Sequence, residues 1–140
     1  MALGMHIKEA KGRVLVIDDE PEVRKIVRHA LERSGYDVVE AEDGEKAIEA
    51  IRSGDNPLLT DVIICDVRMP KINGVEAVSF FREQFPSVPI IVLTGYPDMQ
   101  LATSFLKQGV MEYLVKPVEK EKLVETVEKA MESRGSGGDT

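Results

Sequence analysis

Four short and almost purely apolar runs, each closed by polar residues, constrain this chain more than any other feature. They are Val14-Leu15-Val16-Ile17 before Asp18 and Asp19, Val62-Ile63-Ile64-Cys65 before Asp66, Ile90-Ile91-Val92-Leu93 before Thr94, and Tyr113-Leu114-Val115 before Lys116. A strand exposed on one face alternates apolar and polar residues, whereas one buried on both faces reads as a continuous apolar run, so these are the signatures of a parallel sheet covered on both sides. The segments between them carry helical spacing, and strand–helix alternation builds βαβ units. Parallel strands end together, so Asp18, Asp19, Asp66, Thr94 and Lys116 are expected along one sheet edge, the edge at which open α/β sheets bind ligands.

The connecting segments supply their own start and stop signals. After Asp19, the residues Val23, Ile26, Val27, Ala30 and Leu31 recur at helical spacing, with Pro21 suited to the first turn and Gly35 to the stop. A second strand is expected over residues 37–40, then a helix presenting Ala47, Ile48 and Ile51 and ending at Gly54. Residues 55–60 are polar and contain Pro57, and read as a surface loop without a role in the site. The third strand leads through Pro70 and Gly74 to a helix bearing Ala77, Val78, Phe81 and Phe85. Asp98 is placed to cap the next helix, in which Leu101, Ala102, Phe105 and Leu106 repeat until Gly109. A fifth strand over residues 111–115 precedes a last helix marked by Leu123, Val124, Val127, Ala130 and Met131. Five strands and five helices in strict alternation make one doubly wound α/β domain of three layers. Residues 1–10 read as a leader, 11–133 as the domain, and 134–140, with Gly135, Ser136, Gly137 and Gly138, as a flexible tail or linker.

Composition narrows the functional classes. At 140 residues the chain suits a single core, and 43% hydrophobic with 31% charged residues is ordinary for a globular protein. A net charge of -7 argues against a nucleic-acid surface, which needs clustered Lys and Arg to neutralise phosphates, and points to protein partners. No apolar stretch approaches the length that spans a bilayer, and residues 1–11 lack a signal-peptide core, so a cytoplasmic protein without membrane contact is expected. The single cysteine, Cys65, ends an apolar strand and reads as a buried structural thiol. His6 and His29 have no metal-ligand partner at useful spacing.

Taken in order, Val16-Ile17-Asp18-Asp19-Glu20, Asp66-Val67-Arg68-Met69-Pro70 with Gly74, Leu93-Thr94-Gly95, Gly109 and Tyr113-Leu114-Val115-Lys116-Pro117 resemble the receiver domain of two-component response regulators, from about Gly12 to about Met131. Each piece alone is common; five in this order on alternating strands and helices are specific. The resemblance implies a flavodoxin-like sheet of order 2-1-3-4-5, an order that periodicity cannot supply and for which the chemotaxis regulators of this family are a standard example.

Three carboxylates converging at one edge repel one another unless some are protonated or a cation is shared, and a hard ion such as Mg²⁺ suits an all-oxygen set. The resemblance assigns direct metal contacts to Asp19, Asp66 and the backbone carbonyl of Arg68, with Asp18 acting through water. It makes Asp66 the phosphoacceptor, Lys116 the cation for the phosphoryl oxygens, Thr94 the hydroxyl that moves to bond the phosphoryl group, and Tyr113 an aromatic switch. By the same resemblance Arg68 and Tyr96 flank the path of the water that hydrolyses the acyl phosphate. Carboxylates do act as nucleophiles in this way, and a loose phosphoryl-transfer transition state asks chiefly for positioning and positive charge.

The implied function is a signalling switch that catalyses only its own phosphorylation and dephosphorylation. It would take the phosphoryl group from a sensor histidine kinase or phosphotransfer protein and pass the signal to an effector protein or an attached output domain. Two rivals share the architecture. An Mg²⁺-dependent phosphatase with an aspartyl-phosphate intermediate resembles a D-x-D motif after the first strand, where this chain has Asp18-Asp19 and no cap insertion. A flavin carrier wants a hydroxyl- and glycine-rich phosphate loop there, and Asp18-Asp19-Glu20-Pro21 would repel the phosphate.

Overall fold

The computed structural model describes residues 9–67 and 74–137. Five strands, β1 (Arg13–Ile17), β2 (Asp37–Ala41), β3 (Thr60–Cys65), β4 (Ile90–Thr94) and β5 (Glu112–Val115), form one sheet in the order β2-β1-β3-β4-β5. Every pairing is parallel. The fold is therefore the expected doubly wound α/β domain with the 2-1-3-4-5 order.

The runs on β1, β3 and β4 are buried on both faces, as their lack of alternation requires, whereas on the edge strand β5 Leu114 is buried but Val115 is 45% exposed. Leu15, Ile17, Ile63, Cys65, Ile90 and Val92 face one way and pack with Ala47 and Ile51 of α2 (Gly44–Ile51), Ala77, Val78 and Phe81 of α4 (Gly74–Gln84) and Phe105 of α5 (Met99–Lys107). Val14, Val16, Val62, Ile64, Ile91 and Leu93 face the other way, against Val27, Ala30 and Leu31 of α1 (Pro21–Arg33) and Leu123, Val127 and Ala130 of α6 (Lys120–Gly137). Successive residues on each strand thus feed opposite cores.

Helix ends follow local chemistry. Asp43 and Asp98 cap α2 and α5 by accepting from the Lys46 and Leu101 amides at 2.8 and 3.0 Å. Gly109 closes α5 at φ 97°, in the left-handed region that a side chain resists, and a Cβ there would stand 2.9 Å from Nη2 of Arg82.

Several elements differ from expectation. Residues 55–60 are not simply a loop: α3 (Asn56–Leu59) forms a single turn there, giving six helices among the described residues. Asp55 and Asn56 are held by Nη1 of Arg13 at 2.6 and 2.9 Å, and Asn56 donates to the Ala50 carbonyl at 2.7 Å. Helix α2 stops at Ile51, with Arg52 as its cap, rather than at Gly54. Strand β2 extends to Ala41, and β5 starts at Glu112, one residue after its expected start. Ile26 and Leu106, counted in the apolar faces of their helices, are 61% and 52% exposed. Helix α6 runs on through Gly137 into the expected tail. No helix among the described residues is long and apolar enough to cross a membrane.

Candidate functional site

Ladder hydrogen bonds continue one residue past the strands and place the polar residues in step. The Asp18 amide donates to Ala41 O at 3.1 Å, that of Asp66 to Ile17 O at 2.9 Å, and that of Lys116 to Thr94 O at 2.8 Å. The side chains at these positions meet. Lys116 Nζ lies 2.8 Å from Asp18 Oδ2 and 3.1 Å from Asp66 Oδ2, so the ends of β1, β3 and β5 converge on one ammonium. Asp18 and Asp66 are 2% and 4% exposed and Thr94 is fully buried, whereas Asp19 is exposed.

One member of the cluster was not singled out by sequence reasoning. Glu20 stands at the N-cap of α1, yet its carboxylate makes no cap bond; it reaches Lys116 Nζ at 3.1 Å instead. The Val23 amide, which a capping side chain at this position would claim, is already taken by the Glu20 carbonyl at 3.1 Å, which leaves the carboxylate free to turn to Lys116. Asp18, Asp19, Glu20 and Asp66 each bring one carboxylate oxygen within 4.8 Å of the others. All the donors are hard oxygens, and more than one carboxylate is present, so the set fits a divalent ion of the Mg²⁺ kind.

Burial sets the electrostatics. Desolvation pushes the Asp18 carboxyl above the ordinary carboxylate range, against the opposing hydrogen bonds from Lys116 and the Glu20 amide. Burial pulls on Lys116 in the direction of deprotonation, but the hydrogen bond and charge of Asp18, with those of Asp66, more than offset it and hold the ammonium above the usual lysine range. Lys116 is therefore a fixed positive charge at neutral pH. Cys65 is fully buried, and desolvation with the neighbouring Asp66 and Asp18 charges drives its thiol far above normal, so it is an inert core group as expected.

Thr94 ends β4, between the strands that lead to Asp66 and Lys116. Thr94 Oγ1 accepts from the Tyr96 amide at 3.1 Å. Tyr113 is half-buried against the core that contains Val92 and Phe105, and its hydroxyl accepts from the Asp98 amide at 3.2 Å, joining β5 to the cap of α5. Tyr96 is 62% exposed beside the site. His29 is exposed on α1. Arg68 and His6 lie outside the described residues.

Comparison with known proteins bears on this arrangement. The profile of the response regulator receiver domain matches residues 14–128. The transcriptional regulatory protein ZraR of Escherichia coli (strain K12) is 32% identical over 118 residues, covering 84% of this chain and 26% of the relative. The C4-dicarboxylate transport transcriptional regulatory protein DctD of Pseudomonas aeruginosa is 32% identical over 126 residues, covering 90% of this chain and again 26% of the relative. The chain thus spans about a quarter of the length of these curated relatives. Among solved structures, a response regulator receiver domain protein from Clostridium thermocellum superposes with a TM-score of 0.82 at 30% identity, covering 89% of this chain and 97% of that one. The chemotaxis protein CheY4 of Vibrio cholerae does so with 0.77 at 33% identity, covering 86% and 99%.

Proposed function

This chain belongs to the response regulator receiver domain family, and from that premise we propose that it accepts a phosphoryl group on Asp66 from the phosphohistidine of a sensor kinase or phosphotransfer protein. The observation that carries the reading is the Lys116 ammonium seated between the buried carboxylates of Asp18 and Asp66. A permanent cation beside a buried carboxylate at the open edge of a parallel sheet is what phosphoryl transfer to that carboxylate requires.

In the step itself an Asp66 carboxylate oxygen forms the new bond to phosphorus while the phosphorus–nitrogen bond of the donor breaks, and the released imidazole nitrogen takes a proton. Lys116 needs only to shift its contacts from carboxylate to phosphoryl oxygen to compensate the added charge. Asp19 and Asp66 would hold Mg²⁺ directly and Asp18 through water, joined by the Arg68 carbonyl. Bound there, the ion supplies charge screening between the incoming phosphoryl group and the acidic cluster. Thr94 then turns its hydroxyl to the phosphoryl oxygen, and the Tyr113–Asp98 link at the start of α5 is the element that this movement biases between two arrangements. The readout falls to a downstream effector or an output domain, in keeping with the regulators that the chain matches over a quarter of their length. Residues 11–133 carry the switch, with 1–10 and 134–140 as flanks, in a cytoplasmic protein.

Incubation with phosphoramidate and Mg²⁺ tests the proposal. One phosphate per chain is expected, none in Asp66→Asn, and none after EDTA. Undiminished labelling of Asp66→Asn would remove Asp66 from the acceptor role, and an equal rate in EDTA would remove the metal.

A further inference from the structure

We propose that Arg24 is a positioning residue that fixes the Asp18-Asp19 turn, and thereby the carboxylates that the turn presents; the inference rests on reading the acid cluster as a metal and phosphoryl site. Arg24 lies in the first turns of α1, on a helix surface where an arginine is ordinarily solvated. Its side chain is only 16% exposed. Nη1 donates to the Asp18 carbonyl oxygen at 2.5 Å and Nε to Glu40 Oε1 on β2 at 3.1 Å. The second Glu40 oxygen accepts from Arg28 Nη1 at 2.6 Å, so the carboxylate that aims Arg24 is itself held from α1.

The Asp18 amide is bound to Ala41 and its Oδ1 accepts from the Glu20 amide, and through the Asp18 carbonyl Arg24 takes hold of the peptide between the two aspartates. A planar guanidinium with two bonds in a fixed fork orients that peptide more strictly than a single ammonium bond could. Residues next to metal ligands that set ligand direction in this way are worth about tenfold or more in metal affinity.

Two explanations of Arg24 predict opposite signs. If it acted only as a nearby positive charge, its removal would tighten cation binding at the cluster. If it positions the turn, its removal misplaces the carboxylates and weakens binding. Calorimetric titration of MgCl₂ into the full chain, with amide hydrogen exchange of residues 18–20 in EDTA as a metal-free readout, separates them. The positioning role gives Arg24→Ala an Mg²⁺ dissociation constant raised about tenfold and faster exchange across the turn. Arg24→Lys keeps the charge but reaches only one acceptor and should fall between; Glu40→Gln leaves Arg24 in place and should shift both readouts less, in the same direction. These two variants carry the test if Arg24→Ala does not fold. A dissociation constant that is unchanged or lower, or exchange that is unaltered, overturns the proposal. An unmodified chain that takes up no Mg²⁺ would instead contradict the metal reading, and the exchange comparison would then decide Arg24 alone.

Discussion

Lys116→Met removes the ammonium and keeps an unbranched stem, and the structure sets what this should cost. Asp18 and Asp66, whose side chains are 3% and 5% exposed, lose the cation they share. Breaking a buried pair costs about 3–5 kcal/mol, but Lys116 is 14% exposed and also touches the 61% exposed Glu20, so about 2–4 kcal/mol is the appropriate range. With a urea slope of roughly 2 kcal/mol/M the unfolding midpoint falls by about 1–2 M. The loss depends on pH with a definite sign. Burial already raises the Asp18 carboxyl, and without Lys116 its main opposing hydrogen bond is gone, so it rises further. A folded-state carboxyl raised above its unfolded value loses stability as pH climbs through the folded value. The deficit of Lys116→Met should therefore be greatest near pH 8 and shrink toward acid as Asp18 protonates. Adding Asp66→Asn removes one of the two carboxylate charges and should recover part of the loss, and millimolar Mg²⁺ should recover part by binding only the folded chain. Urea titrations of the three proteins in EDTA, repeated with Mg²⁺, measure all of this. A loss below about 1 kcal/mol, the same at every pH, would mean that these contacts are worth no more than a surface ion pair.

Glu40 gives the opposite pH signature: hydrogen bonds from Arg28, and next from Arg24 against the cost of burial, hold its carboxyl below the usual range. Its stabilisation is present above the unfolded carboxylate value and lost as pH falls through the folded one, so the thermal midpoint of Glu40→Gln should lie below that of the parent at pH 7 and converge with it toward pH 3. Tyr113→Phe should cost about 1 kcal/mol or less through the lost bond from the Asp98 amide and leave labelling intact, while Tyr113→Ala should weaken effector binding; hydrogen exchange across residues 105–122 that is identical with and without beryllofluoride would count against this switch. The Arg68→Asn, Tyr96→Glu double variant should lose its phosphate faster than the parent in a release time course, because it exchanges bulk for polar groups able to orient the attacking water; equal or slower loss would show that the original side chains do not shield the site.

Much of this was legible because burial on both faces writes itself into a strand as an unbroken apolar run, which located Asp18, Asp66 and Thr94 at strand ends from the residues alone; Lys116 also followed an apolar run, although β5 at the sheet edge leaves Val115 45% exposed. Strand order was not legible in the same way, since periodicity reports which face is buried and never which neighbour is paired; it came from the family pattern. Glu20 was missed because an acidic residue ahead of Pro21 reads as a helix start, and only the folded contacts, with the Val23 amide held by the Glu20 carbonyl, show that its side chain turns to Lys116. Arg24 was hidden more deeply, because its target is a backbone carbonyl, which every residue has. The turn α3 escaped because Asp55, Asn56 and Pro57 have loop chemistry locally, while their partner, Arg13, lies on a distant strand. Ile26 and Leu106 met the helical spacing but sit at the margin of the buried stripe, where spacing alone cannot tell core from surface.

The central claim is that Asp66 is where the phosphoryl group lands. After phosphoramidate and Mg²⁺ treatment, reduction with borohydride converts an acyl phosphate at an aspartate to homoserine, which peptide mass spectrometry locates by position. The account predicts homoserine at position 66 and nowhere else, absent when Mg²⁺ is withheld; homoserine at Asp18 or Asp19, or a chain that acquires phosphate with residue 66 unchanged, would contradict it.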